Sequence, residues 1–243
     1  MKIEKTLVDT LEKSVKTVLD VAEVKQDNTY YYLPDELNQP YEQLTIDYYT
    51  ESYFVLSGYN GDYEFVDVDK IVGSVDNPLF QKNNWVEAIL YPRAFYKSYD
   101  MVKEHLDYYK NMCVSEKEPI YLYEKGGKYY IMDGNHRINV LKLLLLTGKD
   151  KGYSTKVRAF VRHLPDNKQY LDAFVKLVDR YHIYDVFVDR SSGYQNYTPH
   201  FKLSGSYNKP TFTHIASGVE INSIEDIKNF ESDYHKGLIM IDD

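Results

Sequence analysis

Cysteine is almost missing from this chain, with Cys113 the single copy in 243 residues. No intrachain disulfide can form, so packing and hydrogen bonds must hold the fold, as expected of a protein in a reducing cytoplasm. Cys113 falls at helical spacing from other apolar residues, which suits a buried thiol better than a nucleophile. Long hydrophobic runs are lacking too. The four residues Leu143-Leu144-Leu145-Leu146 are as long as they get, against roughly 20 for a membrane helix. Met1-Lys2-Ile3-Glu4-Lys5 mixes charge with apolar residues and offers no secretory apolar segment. Positive charge is in deficit, with 29 Lys and Arg against 37 Asp and Glu and a net charge of −8. Proteins that coat duplex DNA carry a basic surplus, so a tight duplex partner is not expected, though a local basic pocket stays open. His105, His163, His182, His200, His214 and His235 show no paired metal-ligand spacing. There is no internal repeat and no low-complexity linker.

Tyrosine is abundant, with 26 copies against one tryptophan. It suits strands and half-buried sites because a polar tip ends an apolar ring; a stacking surface for bases or sugars is the other reading. A hydrophobic fraction of 43% with 27% charged residues is that of a globular protein with a real core. Ile3, Leu7, Leu11, Val15, Val18 and Ala22 recur at steps of three and four. They predict one amphipathic helix over 3–24, able to pack on the body or pair with a second copy. Tyr30-Tyr31-Tyr32-Leu33-Pro34 is not helical in pattern. Strand-like runs at 52–56 and 63–68 flank an Asn-Gly turn and predict a hairpin. Residues 74–94 read as irregular. A helix is expected over 96–113, with Val102, Leu106, Tyr109 and Cys113 on one side.

Strands are expected at 119–123 and 128–132, joined by a turn at Glu124-Lys125-Gly126-Gly127. A break at Asp133-Gly134-Asn135 follows, then a helix over 136–147 capped by Gly148. That helix is apolar nearly all round and should lie inside the fold. A strand returns at 156–161. Pro165-Asp166 starts a helix carrying Leu171, Phe174, Val175 and Val178. Residues 189–199 read as loop, with short strands near Phe201 and Phe212. A helix-start box is expected at Ser223-Ile224-Glu225-Asp226, and a last strand at 238–241. The fold class is mixed α/β, of α+β type. Its parts are an N-terminal helix and hairpin (1–60), a central domain (61–165) and a small C-terminal α/β extension (166–243).

The chemistry concentrates where strand, Gly-containing turn and helix meet. The first amides of a helix lack intrahelical acceptors and the helix dipole adds positive potential there, so an anion meets several N–H donors. Gly134 permits a backbone geometry that a side chain would block. His136 and Arg137 add side-chain donors, and Arg grips two phosphate oxygens at once. The bland alternative is that Asp133 only caps the helix while His136 and Arg137 face solvent.

Asp133-Gly134-Asn135-His136-Arg137 before a buried helix resembles the signature loop of the ParB/sulfiredoxin superfamily. Phe65-Val66-Asp67-Val68-Asp69-Lys70-Ile71 is similar to the family's opening strand, and Glu118-Pro119-Ile120-Tyr121-Leu122-Tyr123 to its Pro-Ile strand. Val157 to Val161 fits its closing strand, so the likeness spans roughly 63–164. The resemblance implies a ParB/sulfiredoxin-like core and nucleotide phosphates bound by Gly134, Asn135, His136 and Arg137. It implies ATP, ADP or CTP as ligand, with Mg²⁺ as companion and no assigned metal ligand set.

Asn135 stands where a sulfiredoxin carries its reactive Cys, which excludes that activity. His136 replaces an Arg of the ParB loop, and no ParB-type helix-turn-helix follows residue 165. The loop is closest to that of kinase-like members. Their essential Glu after the opening strand has no counterpart here, and Asp76 stands in that neighbourhood as the candidate base. The implied activity is nucleotide-dependent phosphotransfer or hydrolysis, with Asp133, His136 and Asp76 as candidate catalytic residues. The alternative is a non-catalytic, nucleotide-gated or nucleic-acid-associated module, of the ParB-like nuclease family. The implied ligand is a nucleotide or phosphorylated small molecule, in a cytoplasmic protein that does not enter the membrane.

Overall fold

A computed structural model describes residues 1–11, 13–47, 50, 61–76, 81–91, 102, 105–114, 119–148, 151–164, 168–181, 186–188, 195–197, 201–206 and 209–239. The chain divides into two compact units. One is built from Met1–Thr45 and Asp62–Arg162, the other from Ile46–Gly61 and His163–Asp243. The first 45 residues fall in the same unit as 62–162.

The first unit opens with β1 (Lys2–Glu4), α1 (Lys5–Thr10) and α2 (Lys13–Val21), followed by β2 (Lys25–Gln26) and β3 (Tyr30–Tyr32). β3 is the middle strand of a small sheet with β1 and β2. The single helix expected over 3–24 is therefore corrected: residues 2–4 are strand, and the backbone turns extended at Leu11 (φ −77°, ψ 172°). The break shifts the phase of the stripe. Val8 is buried while Leu7 is 40% exposed, and Val15, Val18, Leu19 and Ala22 enter the main core. The stripe is thus used within the chain.

The main sheet of this unit contains β4 (Glu42–Leu44), β5 (Asp62–Asp67), β6 (Ile71–Val75), β7 (Ile120–Lys125), β8 (Lys128–Asp133) and β9 (Lys156–His163). Their order is β4-β6-β8-β7-β9-β5. β4, β6 and β8 run parallel; β7 and β8 form an antiparallel hairpin, and β5 pairs antiparallel with β9. The hairpin turn is Gly126-Gly127 with φ of 60° and 79°, the double positive φ that glycine supplies without strain. Gly73 of β6 meets a different demand. A Cβ there would stand 1.7 Å from the Glu42 carbonyl oxygen, so β4 approaches β6 at that point only because no side chain intervenes.

Helices α3 (Trp85–Leu90), α4 (Leu106–Lys110) and α5 (Asn135–Thr147) complete the unit. The Asn84 side chain accepts from the Glu87 N–H and starts α3, and Trp85, Val86, Ala88, Ile89 and Leu90 are all buried. Residues 74–94 were expected to be irregular; strand to Val75 and α3 correct that. The apolar residues there are contiguous and carry neither period clearly. Among the described residues of 96–113, only Leu106–Lys110 is helical. Val102 and Tyr109 are buried. α5 lies inside as expected. Ile138, Val140, Leu141, Leu143 and Leu144 are at most 1% exposed, and no residue of the helix is classed as exposed. The core joins them to Ile71, Ile120, Leu122, Ile131, Val157, Ala159 and Val161 of the sheet. Truncating one such Leu to Ala typically costs about 2–5 kcal/mol.

In the second unit α6 (Lys168–Tyr181) buries Tyr170, Leu171, Phe174, Val175 and Leu177, and Phe174 stacks on Phe212 at 3.8 Å. β10 (Val186–Val188) pairs with β11 (Gln195–Tyr197), which corrects the all-loop reading of 189–199. β12 (Phe201–Ser206), β13 (Lys209–His214) and β14 (Glu220–Ile221) form a second sheet. α7 (Ile224–His235) starts as expected. Ser223 Oγ accepts from the Asp226 N–H (3.1 Å), and the Asp226 carboxylate reaches back to the Asn222 N–H (3.0 Å). Leu238 and Ile239 form a bend rather than a strand. The expected strand at 52–56 and Pro165-Asp166 lie outside the described residues.

Candidate functional site

The parallel trio sets the frame. β4, β6 and β8 point their carboxyl ends the same way, and the chain turns from β8 into α5 at that edge. Ligands of α/β sheets collect in this place because helix N-termini and strand-end loops converge there. Gly134 makes the turn with φ 99° and ψ 17° and is the N-cap residue of α5, with no side-chain cap. Asp133 is therefore not the cap; it is the last residue of β8, and its carboxylate is largely exposed. The left-handed backbone geometry requires glycine here, and a Cβ, 2.5 Å from Ile120 Cδ1, would also force the end of that side chain to shift.

Arg137 sits on the first turn of α5 with its side chain 22% exposed, which departs from a freely solvated position. Nη2 donates to the Pro119 carbonyl (3.3 Å) and lies 3.9 Å from Asp133 Oδ2. It is 3.2 Å from the point where a Gly134 Cβ would be, so the guanidinium rests over the turn itself. Holding it between a carbonyl and a carboxylate restricts its rotamers near the helix start. His136 is partly buried, and burial pushes its pKa below the ordinary histidine value against the opposing pull of Asp133. Near neutral pH the ring is then neutral, with one N–H donor and one acceptor.

Asn135 is held by a residue that sequence reasoning missed. Tyr41 Oη donates to Asn135 Oδ1 at 2.9 Å. Tyr41 is buried, packs edge-on against Trp85 (4.8 Å) and has its phenol pushed up to about 12 by burial, with a hydrogen bond to Ser74 pulling the other way. It stays a neutral donor at any physiological pH. Tyr109 is a second buried tyrosine whose phenol is raised by burial and lowered by the field of Arg137. Tyr41 lies 92 residues (133 − 41) and Tyr109, next to Tyr108, 24 residues (133 − 109) before the loop, so only the folded chain brings them close.

Asp76 follows β6. The register pairs Ser74 with Ile131, and two residues further on Asp76 and Asp133 reach the same edge on neighbouring strands, which lie about 4.8 Å apart. The Asp76 N–H donates to the Leu44 carbonyl (2.8 Å) and Thr45 Oγ1 to its carboxylate (3.5 Å). With the Gln43 amide oriented to satisfy both its ends, the nitrogen donates to Asp76 Oδ1 at 2.9 Å. The structure therefore gathers Asp76, Asp133, Gly134, Asn135, His136 and Arg137 at one edge of one sheet. Among the described residues no group of three or more His, Cys, Asp or Glu side chains could hold a metal ion. A divalent ion here would take its ligands largely from phosphate oxygens and water, as Mg²⁺ commonly does. No helix among the described residues is long and apolar enough to cross a membrane. Comparison with known proteins returned no match to a family model, a curated protein or a solved structure.

Proposed function

We propose that the Asp133–Arg137 turn binds the phosphates of a nucleotide, and that the chain is a nucleotide-dependent phosphotransferase or hydrolase related to the ParB/sulfiredoxin superfamily. One observation carries the proposal: a left-handed Gly134 joins a parallel strand to a buried helix whose N-terminus opens at the carboxyl edge of the sheet, with a guanidinium laid over the turn. The amides at the start of α5 cradle the phosphate, and Arg137 grips its oxygens. Neutral His136 donates a hydrogen bond without adding charge. Asp76, one strand away, is the candidate base for an acceptor hydroxyl, and Asp133 orients the acceptor or shares Mg²⁺ with the phosphates. The family relation rests on the loop and flanking strands read from the sequence. The rival, a non-catalytic nucleotide-gated module, keeps the same cradle and dispenses with Asp76.

Titration calorimetry with ATP, ADP and CTP, with and without Mg²⁺, tests the cradle. Arg137→Ala should lower affinity roughly tenfold to a hundredfold, since charge-assisted bonds are each worth about 1.5–3 kcal/mol. Because Arg137 also holds Pro119, Arg137→Lys serves as the folded control that keeps charge but loses the planar fork. Absence of binding by the intact protein, or equal binding by a folded Arg137→Ala, refutes the cradle. Asp76→Asn separates the two functions: turnover falls and affinity persists in an enzyme, whereas a gated module shows no turnover to lose. Duplex DNA of random sequence should bind weakly at physiological salt, given the net charge of −8.

A further inference from the structure

One face of the main sheet carries rings and guanidinium groups that the phosphate cradle leaves unused. Val157, Ala159 and Val161 of β9 point into the core, so strand alternation puts Arg158, Phe160 and Arg162 on the opposite face. On β5, Tyr63 stands opposite Phe160 and Phe65 opposite Arg158. On β7, Tyr121 projects between the core residues Ile120 and Leu122. Phe160 meets Tyr63 at 5.0 Å and Tyr121 at 5.8 Å, edge-on in both cases, so an aromatic row crosses three strands. The Arg158 guanidinium lies 4.6 Å over the Tyr63 ring, and Arg162 donates to Tyr123 Oη at 3.2 Å. Tyr63 is 58% exposed and Phe65 64%. Rings of this size are rarely left open to water in a group.

We propose that this face binds single-stranded nucleic acid by stacking. Exposed ring faces stack with bases of any sequence. Along a strand, same-face residues stand about 7 Å apart, and neighbouring strands about 4.8 Å apart. Rings so placed receive successive bases rather than one. The charge is suited to phosphate: Lys156 is neutralised by Asp67 at 3.6 Å, whereas Arg158 meets no carboxylate among the described residues and rests on a ring. A duplex hides its base faces, so it cannot use such a surface. A net charge of −8 is compatible with a ligand held chiefly by its bases and by a few phosphate contacts.

Fluorescence anisotropy with labelled oligo(dT) and oligo(U), against a duplex of the same length, tests the proposal on the full chain. Both single strands, or the one the protein prefers, should bind more tightly than the duplex. Phe65→Ala and Tyr63→Ala should each weaken binding by roughly fivefold to a hundredfold, the loss of one stacked base. Phe65→Leu keeps an apolar side chain without a ring and should weaken it comparably, so a general loss of hydrophobic surface is not the cause. Arg158→Gln should reduce the salt slope by about 0.7. Phe65→Leu should leave ATP affinity by titration calorimetry unchanged, so this face and the cradle fail separately. Binding to neither oligonucleotide, equal binding to duplex, or unchanged affinity in folded Phe65→Leu and Arg158→Gln overturns the proposal. Salt-independent capture of a neutral oligosaccharide such as cellohexaose, without oligonucleotide binding, would make the face a carbohydrate platform and overturns it as well.

Discussion

Replacing Gly134 by alanine should be costly for two separable reasons. At φ 99° a residue with a Cβ is strained by about 1–3 kcal/mol. The new Cβ would also stand 2.5 Å from Ile120 Cδ1, inside any real contact, and overpacking of this kind costs about 1–3 kcal/mol. The sum is about 2–6 kcal/mol, reduced if Ile120 changes rotamer. Ile120→Val removes the offending Cδ1 and by itself costs about 0.5–1.5 kcal/mol. The double variant should therefore be more stable than the two single costs added would allow, by about 1 kcal/mol or more. Trp85 makes the assay specific. It is the only tryptophan in the chain, is buried, and sits beneath the Lys142 ammonium at 4.2 Å on the α5 side. Its fluorescence in a urea titration reports the unit containing the loop without a signal from the other unit. A Gly134→Ala loss below about 1 kcal/mol, or strict additivity with Ile120→Val, would refute the claim that φ and close packing together impose glycine.

Tyr41→Phe deletes the donor to Asn135 Oδ1 and should destabilise the same unit by about 0.5–1.5 kcal/mol, with a parallel weakening of nucleotide binding by calorimetry; stability unchanged within error would mean the bond is not formed. Lys142 is largely buried, which pulls its pKa down to about 8. The unfolded chain then binds more protons than the folded one between about pH 8 and 10.4, so this residue makes stability rise with pH through that window. Lys142→Met should remove the rise: relative to the wild type it is most stable near pH 7 and its advantage shrinks toward pH 10, and a difference that does not vary with pH would contradict the burial.

What the sequence disclosed and what it withheld follow from the range of the forces involved. The β7–β8 hairpin, the Gly134 break and α5 are legible because each is set by residues adjacent in sequence: Gly126-Gly127 for the turn, Gly134 for the left-handed step, and apolar residues nearly all round the helix from Ile138 to Leu146 for burial. The helix expected over 3–24 failed because periodicity cannot see a backbone break at Leu11, and Val8 took the buried place of Leu7. α3 was missed because five of its six residues are buried and it shows no polar face. In the site, Gly134 to Arg137 were visible as a motif. Tyr41 was not, since its bond to Asn135 spans 94 residues. The sequence leaves Asp133 open as a cap, yet the strand continues through it, and the cap position passes to Gly134.

The chain enters the first unit, leaves it after Thr45, returns at Asp62 and departs again at Arg162. During synthesis this path imposes an order. Every strand from β1 to β8, and nearly all of β9, has been synthesised once residue 162 is made, and the turn into α5 can form as these residues clear the ribosome. Residues 46–61 emerge early, but the rest of their unit begins only at His163. At about 5–20 residues per second the ribosome takes roughly 4–16 s to add the 81 residues from His163 to Asp243 (243 − 162). For that interval the segment waits as an unfilled insertion in an otherwise complete unit. A 16-residue excursion (61 − 45) costs the host little in closure entropy, so the hazard is one of timing for a stretch that carries Tyr48, Tyr49, Tyr53 and Tyr59.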